Sequence, residues 1–259
     1  MDATRDTLVV QLRALGVVPG AVLLVHSSFR ALRPVKGGPQ GVIDALLEAL
    51  GPSGTLVMPS WTGQDDSPFD PSATAAASDL GVIADAFWRR PGVRRSDHPF
   101  AFAAFGPRAE KNTFGPLPIP PHAPDSPVGR VHALDGRVLL LGVGHDADTT
   151  LHLAELLAGV PYRARKHVTV LREGVPTRIE YDENDHCCRR FALADDWLRI
   201  AGLQSESLVG RAQGRLLRAR DAVRLAVDRL RADPLLFLHA SGSGCEACDE
   251  ARASVDRSR

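Results

Sequence analysis

The sequence predicts an α/β fold: one three-layer domain with a mixed central β-sheet flanked by helices. Residues 21–25, 55–58 and 137–143 are short apolar runs, the pattern of strands buried on both faces. Segments with helical periodicity stand between and after them, as at 41–50 and 149–158. The alternation lacks strict βαβ regularity, so parallel and antiparallel pairings should mix.

In chain order, residues 7–15 read as an amphipathic helix stopped at Gly16. The first strand, 21–25, leads into His26-Ser27-Ser28 and a turn at Lys36-Gly37-Gly38. A helix over 41–50 stops at Gly51-Pro52-Ser53-Gly54, and the second strand follows at 55–58. A polar loop then carries Asp65, Asp66 and Asp70. Asp79 is placed to cap a helix running to Arg90, and residues 100–105 suit a further strand. The six prolines of 116–127 exclude helix and central strand. Such a stiff loop serves equally as a cleft wall or a surface connection. After the third strand at 137–143, Asp146 or Asp148 caps the helix bearing His152, which ends at Gly159. Residues 167–171 and 177–181 form a hairpin around Glu173-Gly174. Two long helices, about 186–201 and 208–232, and a short strand at 235–238 precede a Cys-containing tail at about 239–259. No repeat or linker divides residues 1–259, which are expected to form a single domain.

Apolar residues make up 44% of the 259 and charged residues 24%, ordinary values for a globular enzyme. Lys plus Arg and Asp plus Glu are equal at 31 each, so no net field draws the chain to nucleic acid or membrane. With no membrane-spanning run and no signal-peptide pattern, a cytoplasmic location is expected. In that compartment the four cysteines are poor candidates for disulfides. Cys245-x-x-Cys248 has zinc-knuckle spacing, and Cys187 and Cys188 complete a candidate structural zinc set. Adjacent cysteines on a helix diverge by about 100°, which makes His239 the substitute ligand. The alternative is four free thiols, two of them acting as small buried hydrophobes.

His152 is the leading candidate for a general base. Placed in the first turn of its helix, it feels a dipole that disfavours its charged form. Glu155 is three residues on, on the same face, and can orient the ring. An inert, hydrogen-bonded histidine is the competing reading. Glu183 and Asp185 are candidate contacts for a cationic substrate, although Asn184 or Asp185 also suits an N-cap. His26-Ser27-Ser28 sits where a buried strand ends, the usual rim of a site in α/β sheets. No Gly-x-Ser-x-Gly elbow marks either serine as a nucleophile. Arg94-Arg95-Ser96-Asp97-His98 is a basic loop able to hold phosphates through Arg forks, or simply solvated.

These segments, in this order, resemble the antibiotic N-acetyltransferases. The likeness includes Leu23–Ser28, Gly54–Ser60, Arg95–Pro99, Ser126–Arg130, Asp135–Gly144, Thr149–Glu155 and Glu183–Cys188, nearly the whole chain. The Cys-x-x-Cys tail makes it most similar to the type IV subgroup, which acts on apramycin and gentamicin-like drugs. No full match to the acetyl-CoA fingerprint of the GCN5-like acetyltransferases is present. The resemblance implies the antibiotic N-acetyltransferase fold and acetyl transfer from acetyl-CoA to the 3-amino group of 2-deoxystreptamine, an antibiotic-resistance activity. It implies His152, Glu155 and Asp185 as catalytic, and His26, Ser27, Ser28, Lys36, Gly37, Gly38, Arg95, Ser96 and His98 as the coenzyme A side. Asp65, Asp66, Asp148, Glu183 and Asp185 are expected to receive the drug's ammonium groups. An acetyltransferase for another amine, or a non-catalytic zinc-stabilised binding module, are the alternatives. Oligomeric state is not legible.

Overall fold

The computed structural model describes residues 2–113, 115 and 117–257. Among the described residues seven strands form one sheet: β1 (Val22–Ser27), β2 (Thr55–Pro59), β3 (Arg94–Arg95), β4 (Phe102–Phe105), β5 (Arg137–Leu141), β8 (Gln204–Val209) and β9 (Ala212–Arg218). Their order is β3-β4-β2-β1-β5-β9-β8, and β6 (Ala164–Arg172) with β7 (Val175–Glu183) forms a separate hairpin. β1 runs parallel to β2 and β5, whereas β4 and β9 add antiparallel on either side. The sheet is therefore mixed, as its irregular alternation of elements requires.

The three layers follow from the period of the central strands. Val22 and Leu24 of β1, with Val138 and Leu140 of β5, enter one apolar core. Leu23, Val25, Leu139 and Leu141 enter the other. Both faces are thus covered, which is why these strands read as continuous apolar runs. On the second face lie α1 (Arg5–Leu15), α3 (Gly38–Leu50) and α4 (Gly81–Trp88), with the short α2 (Phe29–Leu32) after β1. On the first lie α6 (Pro127–Ala133), α7 (Thr150–Ala158), α8 (Leu193–Ile200), α9 (Ala219–Ala232) and α10 (Glu246–Arg257). A short α5 (Ala109–Thr113) packs beside β4. Each fully buried Leu or Val in these cores contributes about 1.5–3 kcal/mol.

Several expectations need correction. Residues 204–218 form the β8–β9 hairpin, so α9 begins only at Ala219. The helix expected from 186 begins at Leu193, after a 3-10 turn over Arg189–Ala192, because Cys188 takes a left-handed φ of 58°. Neither Asn184 nor Asp185 therefore caps it; the Asn184 side chain donates to Tyr162 O at 2.8 Å. Residues 234–237 make a turn, not a strand, and the tail is the helix α10. Its Cys248 and Ala251 are buried in the first core. Asp79 does not cap α4, whose start has no side-chain cap.

Two turns deliver the site. Gly142 follows β5 with φ +75°, and a Cβ there would stand 2.6 Å from Ala31 Cβ. Only glycine makes that turn without strain, and it sends the chain toward His145 and α7. Beyond β2, the loop with Trp61 and Asp66 crosses to the hairpin, where Phe69 bridges Val170. The cleft opens beyond the carboxyl ends of β1, β2 and β5, as it does in open α/β sheets.

Candidate active site

Asp148 starts α7. Its Oδ1 accepts from Thr150 N at 3.0 Å and Thr150 Oγ1 at 2.6 Å, an Asx turn ahead of the helix. The helix then carries His152 and Glu155 on one face, and Nδ1 of His152 donates to Glu155 Oε2 at 2.8 Å. An ionised carboxylate only accepts, so in the neutral ring this bond fixes the tautomer and leaves the lone pair on Nε2. Nε2 faces Cys188 Sγ at 3.4 Å. That thiol has an alternative acceptor in His186 O, also at 3.4 Å, so the sulfur can turn a lone pair toward Nε2 when the ring is charged.

Glu155 is wholly buried and has two further donors. Tyr162 OH and His186 Nε2 both donate to Oε1, the latter at 2.7 Å. The other nitrogen of His186 accepts from Cys188 N–H at 3.0 Å. Burial alone would raise the Glu155 carboxyl, but the hydrogen bonds from the two histidines hold it down at about 2. Tyr162 is pushed far up by burial and by that carboxylate.

The protonation of His152 departs from the expectation of a lowered value. Burial does disfavour its charged form, yet Cys188 and then Glu155 outweigh burial and hold it well above the ordinary imidazole range. A helix-dipole effect is usually below about 1 kcal/mol, too small to prevail over a buried carboxylate in contact.

Around this pair the walls are aromatic. His122 stacks on His152 with centroids 4.7 Å apart, Phe100 meets His122 edge-on, and Phe191 meets His152 edge-on at 4.9 Å. Trp61 continues the wall at 5.0 Å from Phe100. His122 comes from the proline-rich segment, which is thereby a cleft wall. Its Nδ1 bonds Glu183 at 3.2 Å, its Nε2 has no partner among the described residues, and burial keeps the ring below its ordinary value. Sequence reasoning missed His122 and His186 as site residues; both lie in loops outside any helix or strand and meet His152 only through tertiary packing. The cleft encloses about 340 Å³, within the range of small-molecule sites.

Four aspartates line it: Asp79, Asp146, Asp148 and Asp185. Asp185 is 43% exposed and paired with Lys166 at 2.5 Å. Asp79 and Asp146, read from the sequence only as caps, stand exposed at the rim. Asp148 is sunk beneath the floor, where burial opposes its charge but His145 at 3.2 Å keeps it ionised. Glu183 is 12% exposed and held by His122. Asp65 and Asp66 are outside the cleft; Asp66 pairs with His167 at 2.7 Å and with Arg178 at 3.4 Å on the hairpin.

Of the residues expected on the coenzyme A side, His26 and Ser27 line the cleft. His26 bonds Thr149 Oγ1 at 3.3 Å, and burial lowers it to about 4. Ser28 precedes α2 without a side-chain cap bond. Lys36 is exposed at the start of α3, where Gly37 and Gly38 both take positive φ. Arg95 is spent elsewhere. It donates to Ser60 O, Thr74 O and Ser60 Oγ, and its guanidinium lies over Trp88 at 4.4 Å. Ser96 Oγ accepts from Phe102 N, and the buried His98 accepts from Phe100 N. These three brace a loop and do not line the cleft.

Cys188 does not join the other cysteines, because it faces His152. The cluster that does form is Cys187, His239, Cys245 and Cys248. His152, His186 and Cys188 also lie close together. There, however, both nitrogens of His186 are already hydrogen-bonded, one to Glu155 and one to Cys188 N–H.

Comparison with known proteins supports an acyltransfer site. Residues 24–231 match the profile of the family described as aminoglycoside 3-N-acetyltransferase. An aminoglycoside N(3)-acetyltransferase IV from Salmonella sp is 62% identical over 240 residues, covering 93% of this chain and 92% of the relative. The crystal structure of aminoglycoside acetyltransferase AAC(3)-IVa, as a histidine-to-alanine mutant in complex with a gentamicin, superposes with a TM-score of 0.96 at 60% identity, covering 98% of each chain. The same mutant has been solved with apramycin, with a TM-score of 0.90 at 57% identity over 95% of this chain and 98% of that one. A more distant acetyltransferase, AAC-IIIb bound to CoASH, gives 0.83 at 27% identity over 90% of this chain and 97% of that one.

Proposed function

Because the chain belongs to the antibiotic N-acetyltransferase family, we infer that it is an aminoglycoside 3-N-acetyltransferase. It transfers acetyl from acetyl-CoA to the 3-amino group of the 2-deoxystreptamine ring and so confers resistance. The observation that carries this reading is a Glu155-braced His152 whose free nitrogen faces a cleft with an acidic rim. The amine nitrogen attacks the thioester carbonyl carbon, and His152 Nε2 takes the proton that the nitrogen sheds. The tetrahedral intermediate collapses, the C–S bond breaks, and coenzyme A departs as its thiol, taking that proton from the His152 imidazolium. Glu155 stabilises the transient imidazolium and keeps the ring aimed.

Asp79, Asp146 and Asp185 suit the ammonium groups of an aminoglycoside, while the aromatic wall excludes water from the reacting amine. Gentamicin-like drugs and apramycin are the proposed substrates, since AAC(3)-IVa has been crystallised with a gentamicin and with apramycin. Coenzyme A phosphates fit the exposed Lys36 and the amides at the start of α3. The reading also fits a cytoplasmic protein, since acetyl-CoA is found there; among the described residues no helix is long and apolar enough to cross a membrane. Thiol release from acetyl-CoA, followed over a panel of amines, tests the reading. The expected result is release with 2-deoxystreptamine drugs and a product acetylated at N3 by NMR. Release with simple amino sugars but none of the drugs would assign another substrate, and no release with any amine would leave a binding module.

A further inference from the structure

We propose that Cys187, His239, Cys245 and Cys248 form a closed tetrahedral zinc site that fastens the C-terminal helix to the loop beneath His152. Cys187 Sγ and Cys248 Sγ stand 3.7 Å apart, and they lie 3.3 and 3.5 Å from His239 Nδ1. Zinc bonds of about 2.3 Å to sulfur and 2.0–2.1 Å to nitrogen give tetrahedral edges of about 3.8 Å for S–S and 3.6 Å for S–N. The observed separations match those edges. A disulfide needs about 2.05 Å between sulfurs, and all four thiols are free. Cys245 completes the group, with all four donor atoms within 4.8 Å of one another.

Three thiolates and one imidazole select zinc over magnesium or calcium, which take oxygen ligands. Four protein ligands leave no position for substrate, so the site is structural. The cradle is supported from outside: Arg252 Nε donates to His239 O at 2.8 Å, holding the residue that supplies the imidazole. The site joins three segments, with Cys187 lying 52 residues from His239 and 61 from Cys248. One ion therefore closes one long loop, from Cys187 to His239, and one short one, of 9 residues from His239 to Cys248.

Its effect reaches the catalytic pair through a single backbone turn. Cys187 binds the metal, and the left-handed Cys188 (φ 58°) turns the next side chain toward His152. Zinc on Cys187 thus holds the loop that presents Cys188 and His186 to the Glu155 system. This holds whichever amine the cleft accepts.

Metal analysis of full-length protein purified without added zinc tests the proposal, and one zinc per chain is expected. Cys245→Ser and His239→Ala should fall below a tenth of an equivalent and melt at lower temperature, while Cys188→Ser keeps its full zinc. Should the variants not fold, the wild-type protein carries the test. Cobalt exchanged into it should show thiolate-to-cobalt charge transfer, and zinc should be released to a chromogenic chelator only as thiols are blocked. Substoichiometric zinc, with all four thiols of the folded protein reacting freely with an aromatic disulfide, would overturn the proposal. So would loss of zinc from Cys188→Ser.

Discussion

Glu155 accepts from His152, His186 and Tyr162 at once, so neither ring can turn away without leaving a buried charge short of a partner. Breaking such a buried set from one side costs about 3–5 kcal/mol. The same contacts set the pH response. A base works when neutral, and because Cys188 and Glu155 hold His152 above 6.5 despite burial, kcat/KM should still be rising with pH above 6.5. Glu155→Gln removes one raising influence, so the half-maximal point should move to lower pH while kcat falls; an unmoved limb in a pH–rate profile would separate Glu155 from the base. Asp185 lies in an exposed pair with Lys166 and caps no helix. Asp185→Asn should therefore leave stability within about 1 kcal/mol. Drug KM should rise roughly fivefold, the equivalent of about 1 kcal/mol of lost attraction. Melting curves and steady-state kinetics on one preparation separate the two effects. The His152–Glu155 pair was legible because three residues on a helix is a local relation. His122 and His186 were not, since each reaches the base only through tertiary packing.

At the scale of elements, the central strands announced themselves because both faces are buried, leaving uninterrupted apolar runs. The β8–β9 hairpin did not. Its turn is Gly210-Arg211, and β9 passes directly into α9, so Leu216, Leu217 and Ala219 continue an apolar pattern that a helix also satisfies. The β6–β7 hairpin was legible from Glu173-Gly174, both at positive φ. Asp66 had seemed a drug contact, but the fold turns it onto that hairpin. Asp66→Asn should consequently leave drug KM within about twofold and cost at most about 1 kcal/mol, as expected for an exposed pair. A large KM effect in the same assay would show that the loop swings into the cleft. The C-terminal helix is a second case of hidden structure. Its helical face is short, and it is buried through Ala251, Cys248 and the Ser254 bond to Arg163 N.

For the whole molecule, equal totals of acidic and basic residues conceal a segregation, with aspartates at the cleft and Lys36 at the start of α3. Attraction between an acidic rim and a polycationic drug is screened by salt, with a Debye length near 10 Å at 0.1 M. Drug KM should accordingly rise with ionic strength more steeply than kcat falls; a KM indifferent to salt would remove the rim aspartates from recognition. Nε2 of His152, aimed by the carboxylate behind it, is the nitrogen that takes the proton once the ring is neutral. Steady-state thiol release by His152→Ala, with acetyl-CoA and a 2-deoxystreptamine aminoglycoside, tests it most directly. A fall in kcat of about 10² to 10⁴ is expected, with acetyl-CoA binding retained. A variant turning over at near wild-type kcat at neutral pH would contradict it.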